Sequence, residues 1–179
     1  MHLYEVIVSK AKYQALAQVG VDGAFEEVAI RETPRLYALA MTITRSPSEA
    51  EDVLQETLLS AWQSWSRLRD PSRRASWLTR ICVNKCLSHA RSARRGWRLL
   101  SASAQEPSPP SAIEFAGELL DFDSAFAHLS PRQRAAFALH VQYGFTVSEC
   151  AGYMGCRPGT ARSHLARAVE SLRREMTHA

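Results

Sequence analysis

The chain has 179 residues, 22 of them basic and 18 acidic, for a formal net charge of +4, and 46% of it is hydrophobic. That composition excludes a wholly disordered chain, and no apolar run approaches the roughly 20 residues that a membrane-crossing helix needs. The N-terminus carries Glu5 and no long apolar stretch before a cleavage site, so neither export nor membrane insertion is expected and the cytoplasm is the default location.

The first predicted helix covers residues 25–45, where Leu36, Leu39, Ala40 and Ile43 share a face. Ser46-Pro47-Ser48-Glu49 then has the form of a capping box, with proline at the first helical position. The helix it opens turns Val53, Leu54, Leu58, Ala61, Trp62 and Trp65 inward. Residues 67–74 interrupt the pattern, and a third helix at 75–94 buries Leu78, Ile81, Cys82 and Cys86. Residues 101–112, with three prolines and four serines, offer little to bury and read as a flexible linker. Beyond them Ser130-Pro131-Arg132-Gln133 is a second capping box, opening a helix through Phe137, His140 and Val141 that Gly144 ends. Thr146 caps a short helix at 147–154 with Val147, Cys150, Ala151 and Met154 buried, and Gly155 supplies a left-handed stop. Pro158 starts a last helix with a stripe of Ala161, Leu165, Ala168, Val169 and Leu172. No segment reads as a strand, so the expected fold is all-α, in two small helical units.

Charge is segregated along this order. Residues 1–66 hold 5 basic and 9 acidic side chains, 67–100 hold 10 and 1, 101–129 hold none and 5, and 130–179 hold 7 and 3. Two basic blocks imply two contacts with a polyanion, and the acidic first block a different partner. A basic block can equally be a solvated face. Cys82, Cys86 and His89 would stack on one helix face, but Cys-x3-Cys-x2-His is not a common zinc spacing and lacks a fourth ligand. The four cysteines are read as free thiols packed like small apolar residues. No metal, cofactor or catalytic residue is expected, since nucleophile-elbow, phosphate-loop and metal-ligand patterns are all missing.

A short helix, a glycine turn and a second helix with one apolar and one basic face describe a helix-turn-helix. Its second helix presents Arg157, Thr160, Arg162, Ser163, His164 and Arg167 outward, donors suited to base edges and phosphates in a major groove. The plainer alternative is a basic helix on a packed helical hairpin. Gly152, in mid-helix, suggests close approach by another element, and Pro158-Gly159 can shift the helix start.

The run Ser48-Glu49-Ala50-Glu51-Asp52-Val53-Leu54-Gln55-Glu56-Thr57-Leu58-Leu59-Ser60-Ala61-Trp62 resembles region 2.2 of extracytoplasmic-function RNA polymerase sigma factors. Ala75-Ser76-Trp77-Leu78-Thr79-Arg80-Ile81-Cys82-Val83-Asn84 resembles regions 2.3 and 2.4, while residues 129–134 and 155–167 resemble region 4. The resemblance spans residues 25–174. It implies a tail at 1–22, a region 2 unit at 23–96, a linker at 97–118 and a region 4 unit at 119–179. It further implies that Asp52, Gln55 and Glu56, with Leu59 and Trp62 packing beside them, dock on a coiled coil of the largest polymerase subunit. The polymerase flap region is an implied contact too. Single-stranded −10 DNA would meet the 67–76 loop, with Asn84 reading a base and Trp77 serving either as a stacking wedge or as core. Arg73, Arg74, Arg80, Lys85, Arg91, Arg94 and Arg95 would follow phosphates. Duplex −35 DNA would meet the helix-turn-helix, and an anti-sigma factor is a partner by analogy. A stand-alone helix-turn-helix regulator is the competing reading, but it leaves the acidic helix and the Trp77–Asn84 segment without a use.

Overall fold

A computed structural model describes residues 23–68, 70–100 and 118–178, and every regular element among them is helical. The all-α expectation, with two small units, therefore holds. The tail at 1–22 and the linker expected at 101–112 lie outside the described residues.

Helix α1 (Gly23–Thr44) continues through Pro34 although proline removes one amide donor. The chain then reverses at Arg45, whose φ is 60°, and α2 (Pro47–Ser64) begins with Ser46 Oγ accepting from the Glu49 amide. Only half of the expected capping box forms here. The Ser46 amide donates to Thr44 Oγ1 at 3.3 Å, so a neighbour already at the helix end takes the bond that Glu49 was expected to make. Short 3-10 turns at Trp65–Arg67 and Pro71–Arg73 lead into α3 (Arg74–Leu100), which runs six residues past its expected end at 94. The three helices pack on one another around Leu36, Leu39, Ile43, Val53, Leu78 and Val83, all fully buried. Each such side chain contributes about 1.5–3 kcal/mol of transfer free energy.

The second unit opens with α4 (Glu118–Ala127), a helix that sequence periodicity did not mark. Then α5 (Pro131–Phe137) starts from a complete capping box: Ser130 N donates to Gln133 Oε1 at 2.7 Å, and Gln133 N to Ser130 Oγ at 3.4 Å. Its continuation over Ala138–Gln142 widens into a π turn, with Tyr143 N donating to Ala138 O at 3.1 Å. Helix α6 (Val147–Met154) has its own complete box on Thr146 and Glu149 and ends at Gly155 with φ 61°. Helix α7 (Pro158–His178) closes the chain. Its predicted stripe is buried at Ala161, Ala168 and Leu172, but Val169 is 39% exposed because the helix meets its neighbours over a narrower arc.

The two units share a core. Helix α5 packs on α1 and α3, and α6 packs on α3. One apolar cluster therefore joins Leu36, Leu78 and Cys82 to Leu139, Cys150 and Met154. A smaller cluster of Ala125, Phe126, Leu129, Ala168 and Leu172 secures α4 to α7.

Gly152 corrects a sequence expectation: nothing lies within 4 Å of where its Cβ would sit, so no element approaches there. A helical glycine with open space around it is a plain entropic cost of about 0.5–1 kcal/mol against alanine. Gly152→Ala is expected to stabilise the protein by about that amount in a denaturant titration. A drop in stability would reveal a contact that the geometry does not contain.

Candidate docking and nucleic-acid surfaces

Three surfaces gather the residues singled out from sequence. The first is a shallow groove between α2 and α3, lined by Asp52, Gln55, Glu56, Leu59 and His89. Leu59 is 47% exposed there, an unusual position for a large apolar side chain within an acidic strip. Glu56 is held from the α3 side: Lys85 Nζ lies 3.0 Å from Oε2, and His89 Nε2 donates to Oε1 at 2.9 Å. The Lys85 bond holds the Glu56 carboxyl below the ordinary carboxylate range, with burial opposing and His89 assisting. Trp62 is half-buried and packs against the main core instead of standing free beside Leu59.

Lys85 was grouped with the phosphate-following residues, yet the structure places it on this groove. One helical residue turns about 100°, so Lys85 and His89, at i and i+4, face α2 while Asn84 faces outward. His89 is a residue of the groove lining that the sequence reading did not place there. Its signal was present in the Lys85–His89 spacing, opposite an acidic helix. The cysteines considered with it lie elsewhere: Cys82 Sγ donates to Leu36 O at 3.6 Å, and Cys86 is buried beside it. The neighbouring Cys82, then burial, push the Cys86 thiol well up. Among the described residues no group of His, Cys, Asp and Glu is arranged to hold a metal.

The second surface is the outer stripe of α3, where Arg80, Asn84 and Arg91 are exposed at near-helical repeats. Asn84 Nδ2 donates to Arg80 O at 2.8 Å, and its Oδ1 lies toward the Gly155 turn, 3.4 Å from where a Cβ on that glycine would sit. Arg73 stands 77% exposed with Asp70 at 3.1 Å. Arg74 is different: its guanidinium lies 4.6 Å over the Trp65 ring. Trp77 sits 6.3 Å from Trp65, which in turn meets Phe25 edge-on at 5.1 Å. Of the two readings open for Trp77, the packing favours core, since the ring is half-buried at the end of this aromatic row.

The third surface is the start of α7. Arg157, Thr160, Arg162, Ser163 and Arg167 are exposed, with Ser163 Oγ donating to Gly159 O at 2.9 Å. Pro158 takes the first helical position as expected, and the Arg157 carbonyl accepts from the Thr160 and Ala161 amides. His164 is half-buried, and burial, then Arg132 and Arg167, hold its pKa below the usual histidine value. Arg132, from α5, thereby joins this cationic surface, an addition that no pattern local to α7 could show.

Two helical units, a helix-turn-helix with a cationic leading edge, and a separate acidic groove define a DNA-binding protein that also docks another macromolecule. The sequence matches the model of sigma-70 region 2 over residues 29–96 and that of sigma-70 region 4 over residues 119–172. It is 34% identical over 144 residues to the ECF RNA polymerase sigma factor SigL of Mycobacterium tuberculosis, covering 77% of this chain and 80% of that one. It is 32% identical over 162 residues to the RNA polymerase sigma factor CarQ of Myxococcus xanthus, covering 86% and 90%. The fold is similar to the sigma factor RpoE of Bartonella quintana, solved in complex with the anti-sigma factor NepR, with a TM-score of 0.67, 28% identity, and coverage of 86% of this chain and 96% of that one. The chain belongs to the sigma-70 family, as an extracytoplasmic-function RNA polymerase sigma factor. No helix among the described residues is long and apolar enough to cross a membrane.

Proposed function

We propose that the three surfaces divide the work of promoter selection. The groove of Asp52, Gln55, Glu56 and Leu59 docks on core polymerase, with Lys85 and His89 fixing the Glu56 carboxylate. The α3 stripe of Arg80, Asn84 and Arg91, with Arg73 nearby, receives the −10 strand. Arg157, Thr160, Arg162, Ser163, His164 and Arg167 meet duplex −35 DNA, with Arg132 adding charge. The functional units run over 23–96 and 119–179, and the protein acts in the cytoplasm without chemistry of its own. An anti-sigma factor is a fitting partner, as for the Bartonella relative.

One observation carries this reading: α3 turns chemically different faces in two directions. Lys85 and His89 grip an acid on α2, while Arg80 and Asn84 stand outward. Nucleic acid and a basic protein surface can therefore be engaged at once. Asn84 makes only a local bond to Arg80 O, so truncating it should leave the fold intact. With reconstituted holoenzyme in run-off transcription, Asn84→Ala is expected to relax preference at one −10 position by about 1–3 kcal/mol, the range for a bidentate base contact, with unchanged co-elution with core. Equal loss on every −10 variant would make Asn84 structural and sink the assignment.

A further inference from the structure

Lys85 is the one lysine among the described residues; every other basic side chain there, histidine aside, is an arginine. Arginine presents a rigid fork that must match the shape of its acceptor. A lysine ammonium is a point charge on a flexible stem, which exchanges one anion for another without such a match. This single lysine stands where two surfaces meet. Its ammonium lies 3.0 Å from Glu56 Oε2 in the groove, yet its side chain is 33% exposed. At about 100° per residue, Ser88 falls between Lys85 and Asn84 around the axis of α3. Only that small side chain separates the groove edge from the outer stripe of Arg80, Asn84 and Arg91.

Glu56 has two oxygens and two partners. His89 Nε2 donates to Oε1 at 2.9 Å, which leaves Oε2 to Lys85 alone among the ion pairs of the groove. A basic partner surface that engages this carboxylate must bring its own cation to Oε2. That cation and Lys85 would then stand a few ångströms apart, and like charges so close repel.

We propose that Lys85 is a shared cation: it neutralises Glu56 in the free chain, and on docking it yields that carboxylate to a cation of core polymerase and moves to a phosphate of the −10 strand. His89 keeps Oε1 throughout. Core docking and −10 binding are thereby coupled, and such coupling is reciprocal. The inference rests on the docking role given to the α2 groove and on the −10 role given to the α3 stripe.

Because the lysine is single, its amine can be followed directly by brief acetylation with an N-hydroxysuccinimide ester and peptide mass spectrometry. An amine engaged with a carboxylate or phosphate is shielded from the reagent, and a free one is not. In the free chain, Glu56→Gln should raise Lys85 labelling about threefold, the scale of one exposed ion pair. Wild-type holoenzyme should show a similar rise, reversed when a single-stranded −10 oligonucleotide is added. In holoenzyme bound to that oligonucleotide, Lys85→Met should flatten the log–log salt dependence by about 0.7, one phosphate on a single strand. The same variant should bind core about threefold more tightly, since the competing cation is gone. Labelling in holoenzyme no higher than in the free chain would overturn the release. A rise that the oligonucleotide does not reverse, or an unchanged salt slope, would overturn the move to phosphate. Weaker core binding by Lys85→Met would make Lys85 a fixed support of Glu56 and overturn the exchange. Asp52→Lys reports on docking separately: unchanged core affinity there fails the groove itself, whereas reduced affinity with flat Lys85 labelling fails only the exchange.

Discussion

Replacing Arg134 by methionine is expected to destabilise the protein by about 2–3 kcal/mol and to loosen the seam between the two units. Arg134 is only 8% exposed, and no carboxylate bonds its guanidinium. Its partners are carbonyls: Nε donates to Ile43 O at 2.8 Å, and Nη1 to Leu129 O at 2.9 Å and Ala127 O at 3.4 Å. Ile43 lies in the last turn of α1, and Ala127 ends α4. The last carbonyls of a helix have no partner within it and carry its negative dipole end. One cation thus caps two helix termini that belong to different units.

Burial, followed by repulsion from Arg45, lowers the Arg134 pKa to about 10, so the side chain is still charged at neutral pH. Methionine would relieve that burial cost, which is why the expected loss is smaller than the sum of the bonds. Hydrogen bonds to a charged group contribute about 1.5–3 kcal/mol each, and a buried carbonyl left dry costs about 1–3 kcal/mol. These terms outweigh the relief. Lysine, a point charge without the planar fork, should recover only part of the loss. Equilibrium denaturation checks the prediction, and a methionine variant within about 0.5 kcal/mol of wild type would mean that solvent satisfies these carbonyls.

What the sequence revealed and what it withheld divides by the range of the interaction. The Ser130 and Thr146 caps were legible because donor and acceptor lie three residues apart. The Ser46 box failed for an equally local reason, since the Ser46 amide donates to Thr44 Oγ1, two residues back, instead of to the Glu49 carboxylate. Lys85 was grouped by charge alone, without the helical turn that separates it from Asn84 and sets it against Glu56. Helix α4 escaped notice because its apolar residues, Phe122, Ala125 and Phe126, find their partners on α5 and α7, not in a periodic pattern of their own. The contacts of Arg134 with Ile43 and of Arg45 with Asp123 cross 91 and 78 residues. No motif announces them, and Arg45 occupies a backbone position where a sequence reader would look for glycine.

The docking groove should respond most strongly to charge reversal. Asp52→Lys is expected to weaken association with core polymerase about tenfold, and Asp52→Lys with Glu56→Lys about a hundredfold, close to 2.7 kcal/mol. Asp52 is exposed in the groove, so its reversal changes the surface with little effect on the fold. Glu56→Lys does more, because it sets a second cation against Lys85 and removes the acceptor for both Lys85 and His89. Glu56→Gln separates these effects, as it keeps an acceptor while removing the charge that Lys85 opposes. Charged contacts at an interface rim act chiefly on association rate and are screened by salt. The wild-type advantage over Asp52→Lys should therefore shrink as ionic strength rises, whereas the loss in the double variant should persist in part through the displaced Lys85 and His89. Binding of the free chain to single-stranded DNA should not fall in either variant, since the groove and the Asn84 stripe lie on different faces of α3. Core affinity unchanged by both reversals, measured in titrations with the intact polymerase, would remove the α2 groove from the docking surface and leave its exposed Leu59 unexplained.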